Sequence, residues 1–258
     1  MYLYIFIVAL VIIIIVLLIV FYLKHKNNSK QNIENNIENN IENNIEDNIT
    51  HIIHQTAPAD KSKWKEDWYI CQDSWKKNFP DWEYKLWTDE DNDNLVKTEF
   101  PEFYKTYNSY TKLIYKIDMV RYCILYKYGG IYADMDYYCN RNFYNELDKN
   151  KISISESPYK QNEYLQNALM ISPKNNKFWL DVIEEGVKRW NNGNIDYIKN
   201  NVVLYLTGPQ LVSDVYKKHK SKIKVLPIKQ YNPKKNSADF DNPNVYTKHY
   251  CTFSWSNH

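Results

Sequence analysis

The strongest hydrophobic pattern in the chain is an uninterrupted run at its start. Residues 1–23 contain no charged side chain, no glycine and no proline, and Lys24, His25 and Lys26 follow at once. At about 1.5 Å per residue, a helix of this length spans the roughly 30 Å hydrocarbon core of a bilayer. A cleaved signal peptide has a shorter apolar core with a basic segment before it. The run therefore predicts a retained, single-pass transmembrane anchor that places the protein in a membrane.

Two orientations of this anchor are compatible with its flanks. The basic residues lie on the C-terminal side of the run, which by the positive-inside tendency would leave the bulk of the protein in the cytosol. A type II enzyme of the secretory pathway would have the opposite orientation, with its domain in the lumen.

Residues 24–50 predict a polar stem between the anchor and a folded domain. Within residues 31–49 an isoleucine recurs at every fourth position among asparagines and glutamates. A period of four drifts by about 40° per step around a helix, so these isoleucines form no straight stripe. Asparagine is also a poor residue for a helix interior. The pattern favours a solvated stem, and a short oligomerising helix is the alternative.

From residue 51 onward, helix and strand periods alternate and predict one α/β domain, residues 51–258. Residues 51–54 are a short apolar run typical of a first strand. Residues 60–79 have three tryptophans and a cysteine at spacings of four, three and four, which predicts a helix. Residues 82–87 alternate as a strand does. The alternation continues to residue 139 and indicates a largely parallel sheet flanked by helices.

The richest pattern lies in residues 111–139. Apolar positions from 113 to 128 occupy about a third of a helical wheel, which predicts an amphipathic helix. Gly129 and Gly130 then end the helix, because glycine readily adopts positive φ. The following residues change to strand periodicity, so Asp134 and Asp136 are expected to project from one face of a strand. The end of a strand in an open α/β sheet is where ligands usually bind.

Two carboxylates placed in this way have few uses. They can hold a hard divalent cation, act as an acid and base pair, or simply be exposed acids at a strand end. A glycoside hydrolase is disfavoured, because its two carboxyl groups flank the scissile bond at about 5–9.5 Å. Asp134 and Asp136 would instead lie on one side of a ligand.

This stretch resembles glycosyltransferase family 32, sugar transferases with a DXD motif (aspartate, any residue, aspartate) that include Golgi and inositol-phosphoceramide mannosyltransferases. The residues that match the central family pattern are Lys116, Asp118, Arg121, Tyr122, Leu125, Tyr126, Gly129, Gly130, Tyr132, Asp134 and Asp136. Residues 50–57, 79–87, 207–209 and 249–255 resemble the flanking motifs of the family. Two positions depart from the family: its tryptophan is replaced by Ala57 or a neighbour of Ala57, and Phe253 stands where the family has glycine.

The resemblance implies a GT-A fold, which is a Rossmann-like, mixed and mainly parallel sheet flanked by helices. It also implies an enzyme that uses Mn²⁺ or Mg²⁺ to move a hexose from a nucleotide-sugar donor, a UDP- or GDP-sugar, with retention of anomeric configuration. The acceptor would be a glycan, a glycolipid or a glycoprotein. A catalytically inactive relative that binds glycans or nucleotide sugars is the alternative.

The resemblance further implies roles for single residues. Asp134 and Asp136 would hold the cation, with His249 beside them, and Asp118 and Arg121 would bind hydroxyls of the donor sugar. Without the resemblance, the spacing of Asp118 and Arg121 would indicate an ordinary ion pair on a helix surface. The other implied donor-binding residues are His54, Gln55, Tyr132, Ser254 and Trp255. Asn167 lies where relatives present an asparagine to the sugar, but it is left out of the predicted site.

Composition narrows the remaining choices. Aromatic residues make up 16% of the chain and supply ample apolar surface, which excludes a fully disordered protein. The 33 basic and 31 acidic residues nearly balance, so no nucleic-acid partner is expected. The four cysteines form no C-x-x-C pair, so they are expected to be core thiols rather than zinc ligands. A disulfide is open only to a luminal domain.

Overall fold

A computed structural model describes residue 24 and residues 48–159, 165–193 and 202–252 of the chain. The predicted anchor and nearly all of the predicted stem lie outside these ranges, as do Ser254 and Trp255. Within the described ranges, no helix is long and apolar enough to cross a membrane. The chain divides after residue 46, and the elements below belong to the second unit, residues 47–258.

One sheet organises the described residues, with the strand order β2-β1-β3-β6-β5-β7. Its strands are β1 (Ile52–Thr56), β2 (Glu83–Trp87), β3 (Gly130–Ala133), β5 (Ile152–Glu156), β6 (Leu165–Ser172) and β7 (Ile223–Leu226). A separate antiparallel pair consists of β4 (Tyr137–Cys139) and β8 (Thr247–His249). β1 is parallel to β2 and β3, and β5 is parallel to β7, whereas β6 runs antiparallel to β3 and β5. The predicted mixed, mainly parallel sheet is confirmed.

Helices cover both faces of this sheet. Within the described ranges they are α1 (Glu66–Asn78), α2 (Asp89–Glu99), α3 (Pro101–Ser109), α4 (Leu113–Tyr128), α5 (Lys177–Asn191), α6 (Val202–Leu206), α7 (Pro209–Tyr216), α8 (Ile228–Tyr231) and α9 (Ala238–Asp241). Tyr132 of β3 contributes to the core on the side of α4 and α5, and its neighbours Ile131 and Ala133 contribute to the core on the side of α1. Because β3 is buried on both faces, its sequence is apolar without alternation.

The junction between α4 and β3 depends on two glycines. Gly129 and Gly130 have φ values of 66° and 84°, and the Gly129 N–H donates to Leu125 O at 3.0 Å, which ends the helix as predicted. A Cβ on Gly130 would lie 2.3 Å from Ile52 O. Gly130 is therefore required by the close approach of β1 as well as by its own backbone conformation.

The structure corrects the expected position of the two acidic residues. β3 ends at Ala133, and Asp134 and Asp136 lie in a turn that the Tyr137 N–H closes by donating to Asp134 O at 2.9 Å. The expected common strand face is therefore wrong. The physical reason is that the chain turns at this point so that β4 can pair with β8, a partner from the other end of the sequence.

The hydrophobic core begins before residue 51. Ile49, the last isoleucine of the predicted stem, is only 2% exposed and belongs to the same core cluster as Ile53 and Trp75. Burial of one isoleucine side chain stabilises a fold by about 1.5–3 kcal/mol, which explains why the Ile49 side chain packs in the core.

The cysteines follow the expectation of core thiols. Cys71, Cys123 and Cys139 are buried and unpaired, and Cys251 is half-buried and also unpaired.

Candidate active site

Two acidic residues and one histidine meet where β3 ends. The pairing of β4 with β8 sets Tyr137 opposite His249, and this brings the imidazole next to Asp136, with Nε2 and Oδ1 3.2 Å apart. Asp134, Asp136 and His249 each offer one ligand atom, and these atoms all lie within 4.8 Å of one another. The structure thus brings together the three residues predicted to hold the cation. The three residues lie next to the junction of β1 and β3. The chain leaves β1 toward one side of the sheet and β3 toward the other, and ligands of open α/β sheets usually bind in the crevice at such a junction.

Asp136 is the most constrained of the three. Its Oδ2 accepts hydrogen bonds from the Thr252 N–H at 2.7 Å and from the Thr252 hydroxyl at 2.9 Å. Burial alone would raise the pKa of Asp136, but the charge of His249 and these hydrogen bonds hold that pKa well below its usual range. Conversely, burial opposes the charge on His249, and Asp136 raises the His249 pKa well above its ordinary value. The imidazole also stacks on the Tyr137 ring at 4.8 Å.

Asp134 keeps one oxygen available. Its Oδ1 accepts from Arg121 Nη1 at 3.0 Å and from the Tyr132 hydroxyl at 3.1 Å. No described residue hydrogen-bonds to Oδ2, and the side chain is 27% exposed. Gln55 holds the main chain of the same turn, because its amide donates to Asp134 O at 3.0 Å. Asp134 Oδ2 is therefore an accessible carboxylate oxygen on a fixed side chain.

Arg121 links the helix to this turn. Its Nη2 pairs with Asp118 Oδ1 at 3.1 Å, while its Nη1 reaches Asp134 and donates to Asn167 O at 2.7 Å. The guanidinium also lies over the Tyr132 ring, 4.9 Å from its centre. Asp118 and Arg121 are each only 3% exposed, so they are a buried pair and not a surface ion pair.

Asp118 is fully engaged inside the protein. Its Oδ1 accepts from the Asn167 amide at 2.9 Å, and its Oδ2 accepts from the Thr207 hydroxyl at 3.2 Å. Burial raises the pKa of Asp118 to about 6, although the neighbouring Arg121 acts in the opposite direction. Tyr122 completes the network by donating to Thr207 O at 2.7 Å. The loop at residues 207–209, one of the flanking motifs, thus docks on the carboxylate that orients Arg121.

His54 lies away from this cluster. It is fully buried, with Nε2 3.0 Å from Gly129 O and Nδ1 accepting from Trp87 Nε1 at 3.1 Å. Burial lowers the pKa of His54 to about 3, so the ring is neutral at pH 7. Both ring nitrogens are used within the core, and the predicted donor contact of His54 finds no support in this position. Gln55 is fully buried as well, and its side-chain amide binds the main chain of the turn at Asp134 O.

Sequence reasoning left two participants out. Asn167 on β6 joins Asp118 to Arg121, and Thr252 holds Asp136. Two signals pointed to Asn167: the family resemblance and the presence of a polar residue in the mainly apolar run Leu165–Ser172. Thr252 had no comparable signal, because its contact spans 116 residues of sequence.

The donor set fits a divalent cation. Carboxylate oxygens suit Mn²⁺ and Mg²⁺, and imidazole is an acceptable nitrogen ligand for the softer of the two. The charges of the site also favour a cation. Its three carboxylates face only two positive groups, a guanidinium and an imidazolium, so negative charge is in excess; the groups are Asp118, Asp134, Asp136, Arg121 and His249. A divalent cation together with a neutral imidazole would balance that excess.

Comparison with known proteins agrees with these features. Residues 65–159 match a family described as a glycosyltransferase sugar-binding region containing the DXD motif. Inositol phosphoceramide mannosyltransferase 3 of Schizosaccharomyces pombe is 36% identical over 165 residues, 64% of this chain and 44% of that protein. The mannosyl phosphorylinositol ceramide synthase CSH1 of Saccharomyces cerevisiae is 34% identical over 174 residues, 66% of this chain and 43% of that protein. The chain therefore spans less than half the length of these two relatives.

Solved structures resemble the fold. The PaToxG glycosyltransferase matches with a TM-score of 0.52 at 19% identity, over 66% of this chain and 70% of its own. A glycosyltransferase involved in glycosylation of the major capsid of PBCV-1 matches with a TM-score of 0.51 at 9% identity, over 80% and 95% of the two chains. Both similarities concern the arrangement of strands and helices. The match over residues 65–159 and the two mannosyltransferase relatives confirm the resemblance to the DXD-containing glycosyltransferases, family 32, that the motifs predicted.

Proposed function

We propose that this protein is a metal-dependent glycosyltransferase that moves a hexose from a nucleotide-sugar donor to a glycan, lipid or protein acceptor. One observation carries the proposal: Asp134, Asp136 and His249 present ligand atoms within 4.8 Å of one another at the ligand crevice of the sheet. The family resemblance supports the same interpretation. Retention of anomeric configuration belongs to the proposal on the strength of the family resemblance alone, and no covalent nucleophile is assigned.

The hexose that we propose is mannose. The names of two relatives, a mannosyltransferase acting on inositol phosphoceramide and a mannosyl phosphorylinositol ceramide synthase, support this choice. They also make an inositol phosphoceramide the first acceptor to test. The nucleotide of the donor is either UDP or GDP, and the screen below includes both.

Three side chains would hold the cation, which when bound offsets the negative charge that develops on the departing diphosphate. Asp134 would contribute the oxygen that Arg121 and Tyr132 leave free, and Asp136 the oxygen that Thr252 leaves free. The imidazole of His249 favours Mn²⁺ over Mg²⁺, because Mg²⁺ strongly prefers oxygen ligands.

Arg121 and Asp118 act mainly on the shape of the site. Because both are buried, we infer that they contribute to sugar binding by fixing Asp134 and Asn167. Preorganised groups of this kind need no rearrangement when charge develops in the reaction, which is how they lower its barrier. Ser254 and Trp255, outside the described residues, remain proposed donor contacts.

Residues 1–23 are proposed to anchor the protein in a membrane, which would bring the site close to a lipid acceptor. Carbonate extraction of membranes that contain the full chain, beside a variant lacking residues 1–23, tests the anchor. The full chain is expected in the membrane pellet and the shortened chain in the supernatant. Release of the full chain by carbonate would contradict the anchor.

A nucleotide-sugar screen tests the activity. The full chain, purified in detergent, is mixed with Mn²⁺ and UDP- or GDP-linked hexoses, and both donor binding and slow donor hydrolysis are measured. Binding with hydrolysis, lost in Asp136→Asn, is expected. Binding of a donor with neither hydrolysis nor transfer to any acceptor would favour the inactive, sugar-binding alternative. Absence of binding to every donor would refute the proposal.

A further inference from the structure

Asp136 is held from the far end of the chain. Thr252 donates to Asp136 Oδ2 twice, from its main-chain N–H and from its hydroxyl, and the Tyr250 N–H donates to Asp136 O at 2.9 Å. The other carboxylate oxygen, Oδ1, faces His249. These contacts fix which oxygen of Asp136 is occupied by the protein and which one is left toward the cluster.

The backbone between these contacts adopts a costly conformation. Cys251, which lies between Tyr250 and Thr252, has a φ of 50°, in the left-handed region that non-glycine residues rarely adopt. Such a conformation is unfavourable and persists where the surroundings impose it, often at functional sites. Here the hydrogen bonds on both sides of Cys251 to the same aspartate impose it.

Lys65 supports this arrangement from a third part of the chain. Its ammonium group donates to Thr252 O at 2.9 Å, and Lys65 immediately precedes α1. Thr252 is thus bound on one side to the DXD turn and on the other side to the start of α1. These two sets of contacts restrict the movement of Thr252 away from Asp136.

We propose that Thr252 is a positioning residue for the metal site, with Lys65 as its support. Thr252 fixes Asp136 Oδ2 and thereby directs Oδ1 toward the position shared with Asp134 and His249. The inference rests on the proposed function, because it requires a cation at these three residues. Loss of a residue that orients a metal ligand typically lowers metal affinity about 10- to 100-fold.

Mn²⁺ binding to the full chain in detergent, without nucleotide, tests the role of Thr252. Free Mn²⁺ is measured by electron paramagnetic resonance for the unmodified protein, Thr252→Val, Thr252→Ser and Asp136→Asn. Thr252→Val is expected to weaken Mn²⁺ binding on the order of 10-fold, the low end of the range, because the main-chain N–H still donates. Thr252→Ser keeps the hydroxyl, and its Mn²⁺ affinity is expected to lie within about twofold of that of the unmodified protein. If Thr252 only filled space, serine would not restore Mn²⁺ binding.

Lys65 provides a second, independent variant should Thr252→Val fail to fold. Lys65→Met is compared with Lys63→Met, which removes the same charge from an exposed position two residues earlier. Removing a positive charge alone favours a cation in both variants. A several-fold weaker Mn²⁺ affinity in Lys65→Met than in Lys63→Met therefore reports the lost support of Thr252.

The outcomes separate the two proposals. If the unmodified protein binds Mn²⁺, Asp136→Asn does not, and Thr252→Val binds as tightly as the unmodified protein, the positioning role is refuted while the metal site stands. If the unmodified protein itself binds no Mn²⁺, the metal site of the proposed function is refuted and the positioning role with it.

Discussion

Arg121 reaches Asp134 across 13 residues of sequence, with Nη1 and Oδ1 3.0 Å apart. The same guanidinium holds Asp118 through its other terminal nitrogen. One buried side chain therefore joins the middle of α4 to the turn that carries the DXD residues. The acidic pair of that turn is not free to move independently of the helix.

Removing Arg121 is expected to be strongly destabilising. Arg121→Met would leave the buried Asp118 carboxylate without its cation, and breaking a buried ion pair in this way costs about 3–5 kcal/mol. The free energy of unfolding in urea measures this. The double variant Asp118→Asn/Arg121→Met should recover part of the loss, because the uncompensated charge is then gone.

The matched control for Arg121 is Lys127→Met, which breaks the exposed ion pair between Lys127 and Glu99. An exposed pair contributes about 0–1 kcal/mol. Arg121→Met and Lys127→Met giving equal losses would contradict the buried role of Arg121.

The acidic pair is expected to be essential for turnover. Asp134→Asn and Asp136→Asn each remove a charged ligand while keeping size, and donor hydrolysis in Mn²⁺ should fall on the order of 100-fold or more. Asp73→Asn, at an exposed position of α1, is the control and should retain full activity. Excess EDTA should abolish activity of the unmodified protein. Undiminished activity in EDTA would rule out a metal-dependent reaction.

Gly130 is expected to tolerate no side chain. Gly130→Ala would force a Cβ to within 2.3 Å of Ile52 O at a φ of 84°, so β1 and β3 would have to separate. Gly193→Ala is the matched control, because Gly193 also has positive φ (64°) but a Cβ added there would have no atom within 4 Å. Gly193→Ala should lower the free energy of unfolding only by the cost of a left-handed backbone at alanine, about 1–2 kcal/mol. Thermal unfolding should show a clearly larger loss of stability for Gly130→Ala than for Gly193→Ala. Equal losses would mean that β1 can move away from β3 without destabilising the protein.

Acid should destabilise the protein through His54. Its pKa is lowered to about 3 in the folded state, against 6.5 as the ordinary value. Below about pH 6.5 the unfolded chain therefore binds a proton that the folded chain does not, and stability falls as the pH falls toward 3. At about pH 4.5 this amounts to roughly 2–3 kcal/mol relative to pH 7.

The measurement is the change in urea midpoint between pH 7 and pH 4.5. His54→Gln should show a smaller change than the unmodified protein, whatever its absolute stability. An identical pH dependence in His54→Gln and the unmodified protein would mean that the pKa of His54 is not lowered in the folded state.

The elements that sequence periodicity predicted well are those that depend on neighbouring residues. The α4 helix ends before Gly129 as expected, because an apolar stripe and a glycine cap are both local signals. The end of β3 was not predictable in this way. Asp134 and Asp136 leave the strand because β4 pairs with β8, and no local pattern around Asp136 announces a partner at His249.

The site shows the same division between local and distant information. The motif around Asp118, Arg121 and Asp134 identified residues that the structure brings together, because their spacing follows from one helix and one strand. The family resemblance implies a donor contact for His54. Side chains alternate along β1, however, and His54 points to the core where Trp87 and Gly129 bind its two nitrogens.

The span of 116 residues between Asp136 and Thr252 has a consequence for how the protein is made. His249 and Thr252 can reach the DXD turn only after residues up to 252 have left the ribosome, whereas the β1–β3 part of the sheet can assemble much earlier. Closing so long a loop is entropically costly and comes late in folding. A chain cut short by a premature stop codon before residue 249 would lack both the pairing of β4 with β8 and the hydrogen bonds to Asp136 Oδ2.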